Sequence, residues 1–246
     1  MPADHLGLFL AVVALGAWLQ TVTGFALALT VLGAVTQLQL APLPLTAIVV
    51  SLLGLASSLV ALAGHHRAIR WRLLLPILAG MLPTVTLGVW LLGHLQADGT
   101  DTLRRILGLF ILGGGVLLLL SPRTRPRPAA ARTGVLAGLL GGLFGGLFAA
   151  PTPPVVFHLY REPAAIEGVR ATLFAVIIGG VTLRMSSVAG LTGVSPEVLR
   201  VVLFALPATL AGSLLGRVLS PRLSERVQRR VALLLLTLLG LPLAFG

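Results

Sequence analysis

Gln20, Thr21 and Thr23 stand in an otherwise apolar run, next to Gly24 and Phe25; Thr152 stands beside Pro151 in a second such run, just past Gly145 and Gly146. Amide and hydroxyl groups donate hydrogen bonds to oxyanion oxygens without carrying charge themselves. Glycine lets a ligand approach the backbone, and a helix that begins at such a point presents unpaired N–H groups and a partial positive charge. Arg184, in Val181-Thr-Leu-Arg184-Met-Ser-Ser187, is the only charge well inside an apolar run. A charge at that depth points by default to function, here a counter-charge for an anion, while its place about two turns from the end of its run also suits a side chain that snorkels to the interface. The candidate substrate-binding residues are therefore Gln20, Thr21, Thr23, Gly24, Phe25, Gly145, Gly146, Pro151, Thr152 and Arg184.

The remaining titratable groups do not assemble into a reaction centre. His158 is a lone imidazole near the end of the second interrupted run, and Glu167 and Arg170 are spaced to pair on one helix face. Cysteine is absent, which excludes disulfides, thiolate metal sites and thiol nucleophiles. Paired carboxylates, a His cluster and a Ser/His/Asp set are all missing, so neither an enzyme nor a metal site nor a cofactor is expected.

The elements that must position these residues are membrane helices. The chain of 246 residues is 57% hydrophobic and 10% charged, with a mean hydropathy of +1.02, whereas a soluble domain carries roughly 25% charged residues. Apolar runs extend over Leu6 to Leu38, Leu43 to Ala63, Leu73 to Leu95 and Leu103 to Leu120, then over Thr133 to Tyr160, Ala164 to Leu191, Val198 to Gly216 and Val231 to Gly246. About 20 apolar residues cross a hydrocarbon core. The first run of each set is interrupted, near Gln20 to Phe25 and near Gly145 to Pro154, because Gly and Pro disfavour helix interiors. The stretch Gly138 to Pro154 as a whole reads as a helix breaker. The N-terminus lacks the basic flank of a cleavable signal peptide, so its first apolar run is expected to belong to the mature protein. The net charge of +11 comes from arginines in short loops, a distribution that orients a membrane protein and does not build a nucleic-acid face.

The second set of runs repeats the first at offsets of 122 to 125 residues, close to half of the 246-residue chain. Gln20 to Phe25 lies against Gly142 to Leu147, Leu82-Pro83 with Gly88 against Leu206-Pro207 with Gly212, and Arg104-Arg105 against Arg229-Arg230. Loop charges are exchanged between the halves. His65 to Arg72 is basic where Thr192 to Glu197 is not, and Gln96 to Thr102 is acidic where Arg217 to Arg230 is basic. Corresponding loops then face opposite sides, which is the mark of inverted repeats and requires an odd number of crossings per half. The expected fold is an all-α integral membrane protein of two inverted repeats. Each comprises a broken helix pair, re-entrant or fully crossing, with arms of about 14 residues, plus three spanning helices. Residues 1–120 form the first repeat, 121–133 a cytoplasmic Arg/Pro linker, and 134–246 the second repeat.

Two halves that each open with a Gly-rich interrupted helix, a second half beginning G-x-L-x-G-L-L-x-G-L-F-G-G, and a later helix with Pro and Gly resemble the sulfite exporter TauE/SafE family. The specific part of the resemblance is Gly138 to Gly146 and, more weakly, Gln20 to Phe25. It implies a multi-pass bacterial inner-membrane transporter of sulfite, organosulfonates or related sulfur-containing anions, working by alternating access. Where the family pattern runs on as Gly-Gly-Gly, this chain has Leu147-Phe-Ala-Ala150 before Pro151, a departure that bears on the substrate more than on the fold. The expected partners are a small inorganic or organic anion and the lipid bilayer, with a homo-oligomer left open and no nucleic acid. The alternative is an assembly or maturation partner of another membrane complex, without transport activity.

Overall fold

The computed structural model describes residues 3–24, 26–98, 100–119, 125–191, 193, 195–219 and 225–245. Phe25 and residues 121–124 of the linker lie outside the described residues. The described chain is all-α: α1 Ala3–Thr23, α2 Ala26–Gln37, α3 Leu43–Leu62, a 3-10 turn His66–Ala68, α4 Trp71–Asp98, α5 Thr100–Leu119, α6 Ala131–Phe148, α7 Thr152–Leu159, α8 Ile166–Leu191, α9 Pro196–Leu219 and α10 Glu225–Phe245. Among the described residues, six helices are long and apolar enough to cross a membrane: α1, α3, α4, α6, α8 and α9. The described apolar part of α10, Leu233–Phe245, is shorter.

Both interruptions exist, and both differ from expectation in their proportions. α1 has 21 residues against 12 in α2, and α6 has 18 against 8 in α7, so the arms are unequal instead of about 14 residues each. Gly24 ends α1 with φ +91, a conformation open to glycine without steric penalty. The second break is narrower than Gly145 to Pro154. α6 continues through every glycine to Phe148, and the chain turns at Ala149, which takes the left-handed conformation at φ 53. Pro151 then disfavours helix in the residue before it and stands as the N-cap of α7.

The glycines of α6 stay helical because they let another backbone in. A Cβ on Gly138 would meet the Ile77 carbonyl, on Gly142 the Met81 carbonyl, and on Gly146 the Val85 carbonyl and Gly88. α4 and α6 thus touch main chain to main chain over more than two turns, as small residues allow in membrane bundles. α9 approaches α1 in the same way, with Gly212 against Ala14 and Gly216 against Trp18 and Thr21.

Contacts between the halves come in matched pairs. α1 packs on α9 and α6 on α4; α2 packs on α10 and α7 on α5; α3 packs on α9 and α8 on α4; α3 meets α8, and α5 meets α10. Exchanging each element for the one five places on, α1 for α6 through α5 for α10, reproduces this list. That exchange is the contact pattern of a repeat.

Candidate functional site

α3 carries Ala47, Ser51, Gly54 and Ser58 at i, i+4, i+7 and i+11, one face of a helix. Two side chains from other helices bind that face. Arg184 of α8 is 2% exposed. Its Nη1 donates to the Ala47 carbonyl at 3.3 Å and to Ser51 Oγ at 3.0 Å, and its Nε donates to the Gly146 carbonyl at 3.1 Å. Gln20 of α1, also buried, donates from Nε2 to the Gly54 carbonyl at 3.3 Å and to Ser58 Oγ at 3.2 Å. The two footprints are centred seven residues apart, about 10 Å along the α3 axis.

Arg184 therefore points into the bundle and does not snorkel outward. All three of its partners are neutral, and no carboxylate pairs with it among the described residues. The two N–H groups of Nη2 carry no hydrogen bond among the described residues. A buried guanidinium without a counter-ion is energetically unfavourable, and an anion accepting from those free donors would offset that.

The structure brings some of the other candidates to this region. Gly146 supplies an acceptor to Arg184, and Gly145 lies against Pro151, whose Cβ would be 3.1 Å from a Cβ on Gly145. One turn before Arg184, a Cβ on Gly180 would meet Met81 first and would lie 3.7 Å from Pro151 Cγ. Thr152 is buried as the first residue of α7. Gly24 is buried under Leu173, whose Cδ2 a Cβ would meet at 2.5 Å. The hydroxyls of Thr21 and Thr23 bond back to Ala17 O at 3.0 Å and Leu19 O at 2.7 Å on their own helix. The α7 terminus is a poorer anion donor than a broken helix suggests, because Pro153 and Pro154 follow Thr152 and have no N–H.

Glu167 and Arg170 do not pair. Glu167 faces His65 at 3.9 Å, while Arg170 Nη2 donates to the carbonyl of Val22 at the end of α1. A cation on the last carbonyls of a helix satisfies orphan acceptors and complements the dipole, and that long-range contact displaces the i, i+3 ion pair. Sequence reasoning missed Ser51 and Ser58, although their spacing with Gly54 in an apolar run is the signal for a polar face. It also missed Glu162, which is buried and holds Arg125 at 3.0 Å and the Ala129 N–H at 3.2 Å, pinning the described end of the linker to the end of α7.

The profile of the family described as Sulfite exporter TauE/SafE matches residues 8–243. A protein of Cupriavidus necator described as "Probable sulfite/organosulfonate exporter TauE" is 36% identical over 178 residues, which cover 71% of this chain and 68% of that protein. No solved structure matches the chain.

Proposed function

This chain belongs to the sulfite exporter TauE/SafE family, and from that premise we propose that Arg184, Gln20 and the α3 face they share form the anion site of two inverted repeats working by alternating access. The chain is a multi-pass inner-membrane protein, a secondary transporter of small anions of the sulfite and organosulfonate type, and not an enzyme. The observation that carries the site is the buried guanidinium with neutral partners and free donors. A sulfite or sulfonate group offers three oxygens to such donors, with Ser51 beside Arg184; Gln20 and Ser58 place a second polar group about 10 Å further along α3, on the path the anion takes. Gly24, Gly145, Gly146 and Pro151 shape the walls where the two broken segments end, and Thr21, Thr23 and Thr152 lie beside those ends; Phe25 joins them by its place in the sequence next to Gly24.

The inverted arrangement is supported by the exchanged loop charges and by matched contacts between residues 1–120 and 134–246 across the 121–133 linker. On this reading the Arg67 to Arg72 loop and the linker are cytoplasmic. The short arms α2 and α7 return partway into the bundle as re-entrant pairs. Single cysteines at Arg70 and Glu197, probed with an impermeant thiol reagent, should label from opposite sides; labelling from the same side removes the inversion.

Flux in proteoliposomes tests the site. Labelled sulfite or sulfoacetate should move through the wild type and not through Arg184→Gln protein that purifies as a folded species. Full flux in that variant removes Arg184 from the site, and failure of sulfite, taurine and sulfoacetate alike in the wild type removes these anions as its substrates.

A further inference from the structure

Arg170 and Arg184 occupy one face of α8, with Phe174, Ile177 and Val181 between them at i+4, i+7 and i+11 from Arg170. The intervening three are buried and packed against Leu55, Leu62 and Met185. Arg184 is thus sealed from the Arg170 end by an apolar plug on a helix stretch about 21 Å long. On the Arg170 side of the plug lies a cavity of about 380 Å³, lined by Thr21, His65, Glu167, Arg170, Phe174 and Arg217 among others.

The charges of this cavity are fixed by the fold. Arg217 of α9 donates from Nη1 to the Val60 carbonyl at 3.3 Å and from Nη2 to the Ala63 carbonyl at 2.7 Å, at the end of α3. Arg170 holds Val22 at the end of α1 in the same manner. Each guanidinium is anchored by neutral carbonyls, so its charge is positioned without being neutralised, and donors remain for a ligand. Two arginines and His65 face a single carboxylate, Glu167. At the opposite end of α1, α3 and α9, a cavity of about 460 Å³ has one base, Arg200, and one acid, Glu197, in its lining. Of these two cavities, the one at Arg170 and Arg217 carries the excess of positive charge.

We propose that the cavity at Arg170 and Arg217 is a second anion-binding site, a cytoplasmic loading site for sulfite or a sulfonate that collects the ion before the Phe174–Val181 plug opens toward Arg184. Its role in loading rests on the transport reading above; anion binding to it does not. The plug keeps the two sites from merging in this conformation, and the charge excess raises the local anion concentration at the mouth. Thr21 at the cavity wall is adjacent in sequence to Gln20, so the route onward leads to the α3 face.

Binding of inorganic sulfite to purified protein, by calorimetry, separates the two sites. The Arg184→Gln protein should still bind sulfite. Adding His65→Glu, an exposed change whose described partners are the Ala63 carbonyl and Glu167, should weaken that binding about tenfold, the effect of one charge-dependent contact. Arg217→Gln should weaken it similarly, and Arg217→Lys should restore it in part. Sulfite binding that vanishes with Arg184→Gln, or that ignores both His65→Glu and Arg217→Gln, overturns the loading site. Loss of flux with retained vestibule binding in Arg184→Gln supports both sites, whereas retained flux there counts against Arg184 alone.

Discussion

Gly146 gives its carbonyl to Arg184 Nε at 3.1 Å, while its own Cα lies against the α4 backbone beside Gly88. One residue therefore ties the buried charge of α8 to the last turn of α6, just before the break at Ala149. The fork geometry matters as much as the charge, because three acceptors on two helices are met by one planar group. Arg184→Lys keeps the charge but cannot reach Gly146, Ala47 and Ser51 together. Truncating one partner of a buried charged pair costs about 2–5 kcal/mol, so sulfite flux should fall roughly thirtyfold or more in Arg184→Gln and by a smaller factor in Arg184→Lys. Initial rates in proteoliposomes at matched reconstitution measure this.

Glycines of the same type are predicted to behave oppositely according to what they face. A Cβ at Gly142 would lie 2.7 Å from the Met81 carbonyl and closer still to Thr84 Oγ1, whereas a Cβ at Gly93 on α4 meets nothing within 4 Å. Gly142→Ala should destabilise the protein by about 1–3 kcal/mol or more through overpacking against backbone. Gly93→Ala should be neutral or stabilising by up to about 1 kcal/mol, because alanine is the better helix former. Thermal unfolding in detergent reads both, and equal shifts would remove the backbone contact as the cause.

The two breaks use the left-handed region differently. Gly24 sits at φ +91 with Leu173 against it, and Ala149 sits at φ 53 with a side chain present. An L-residue in that region is disfavoured by roughly 1–2 kcal/mol. Ala149→Gly should relieve this and raise the unfolding midpoint, partly offset by the added freedom of the unfolded chain. Gly24→Ala should lower the midpoint, and Leu173→Ala should rescue only the steric part of that loss.

How far these features are legible in the sequence depends on the range of the forces involved. The break after Thr23 is readable because Gly24 closes a polar patch in an apolar run. The second break is misplaced because Gly138 to Gly146 are poor helix formers in isolation; contact with α4 holds them helical, and only the local geometry of Ala149 and Pro151 stops the helix. Arg184 is legible as an outlier. Its direction is not, because the acceptor Ser51 lies 133 residues away. Glu167 and Arg170 satisfy a local pairing rule, yet Arg170 goes to Val22, 148 residues away. Helix ends supply carbonyls that a pattern of side chains does not display.

The apolar plug between Arg170 and Arg184 makes a prediction that the natural lack of cysteine renders easy to read. Thr21 borders the open cavity, whereas Val181 is 4% exposed beyond Phe174 and Ile177. A cysteine at Thr21 should react with a small anionic thiol reagent added from the cytoplasmic side, and a cysteine at Val181 should react at least about tenfold more slowly, since the reagent must cross a dry, close-packed segment. Truncating the plug with Phe174→Ala should raise labelling of the Val181 cysteine and leave that at Thr21 little changed. Sulfite should protect the Thr21 cysteine by occupying the cavity. Fast labelling at Val181 without the truncation would mean that the plug does not separate the two arginines, and that solvent reaches Arg184 from the cytoplasmic mouth.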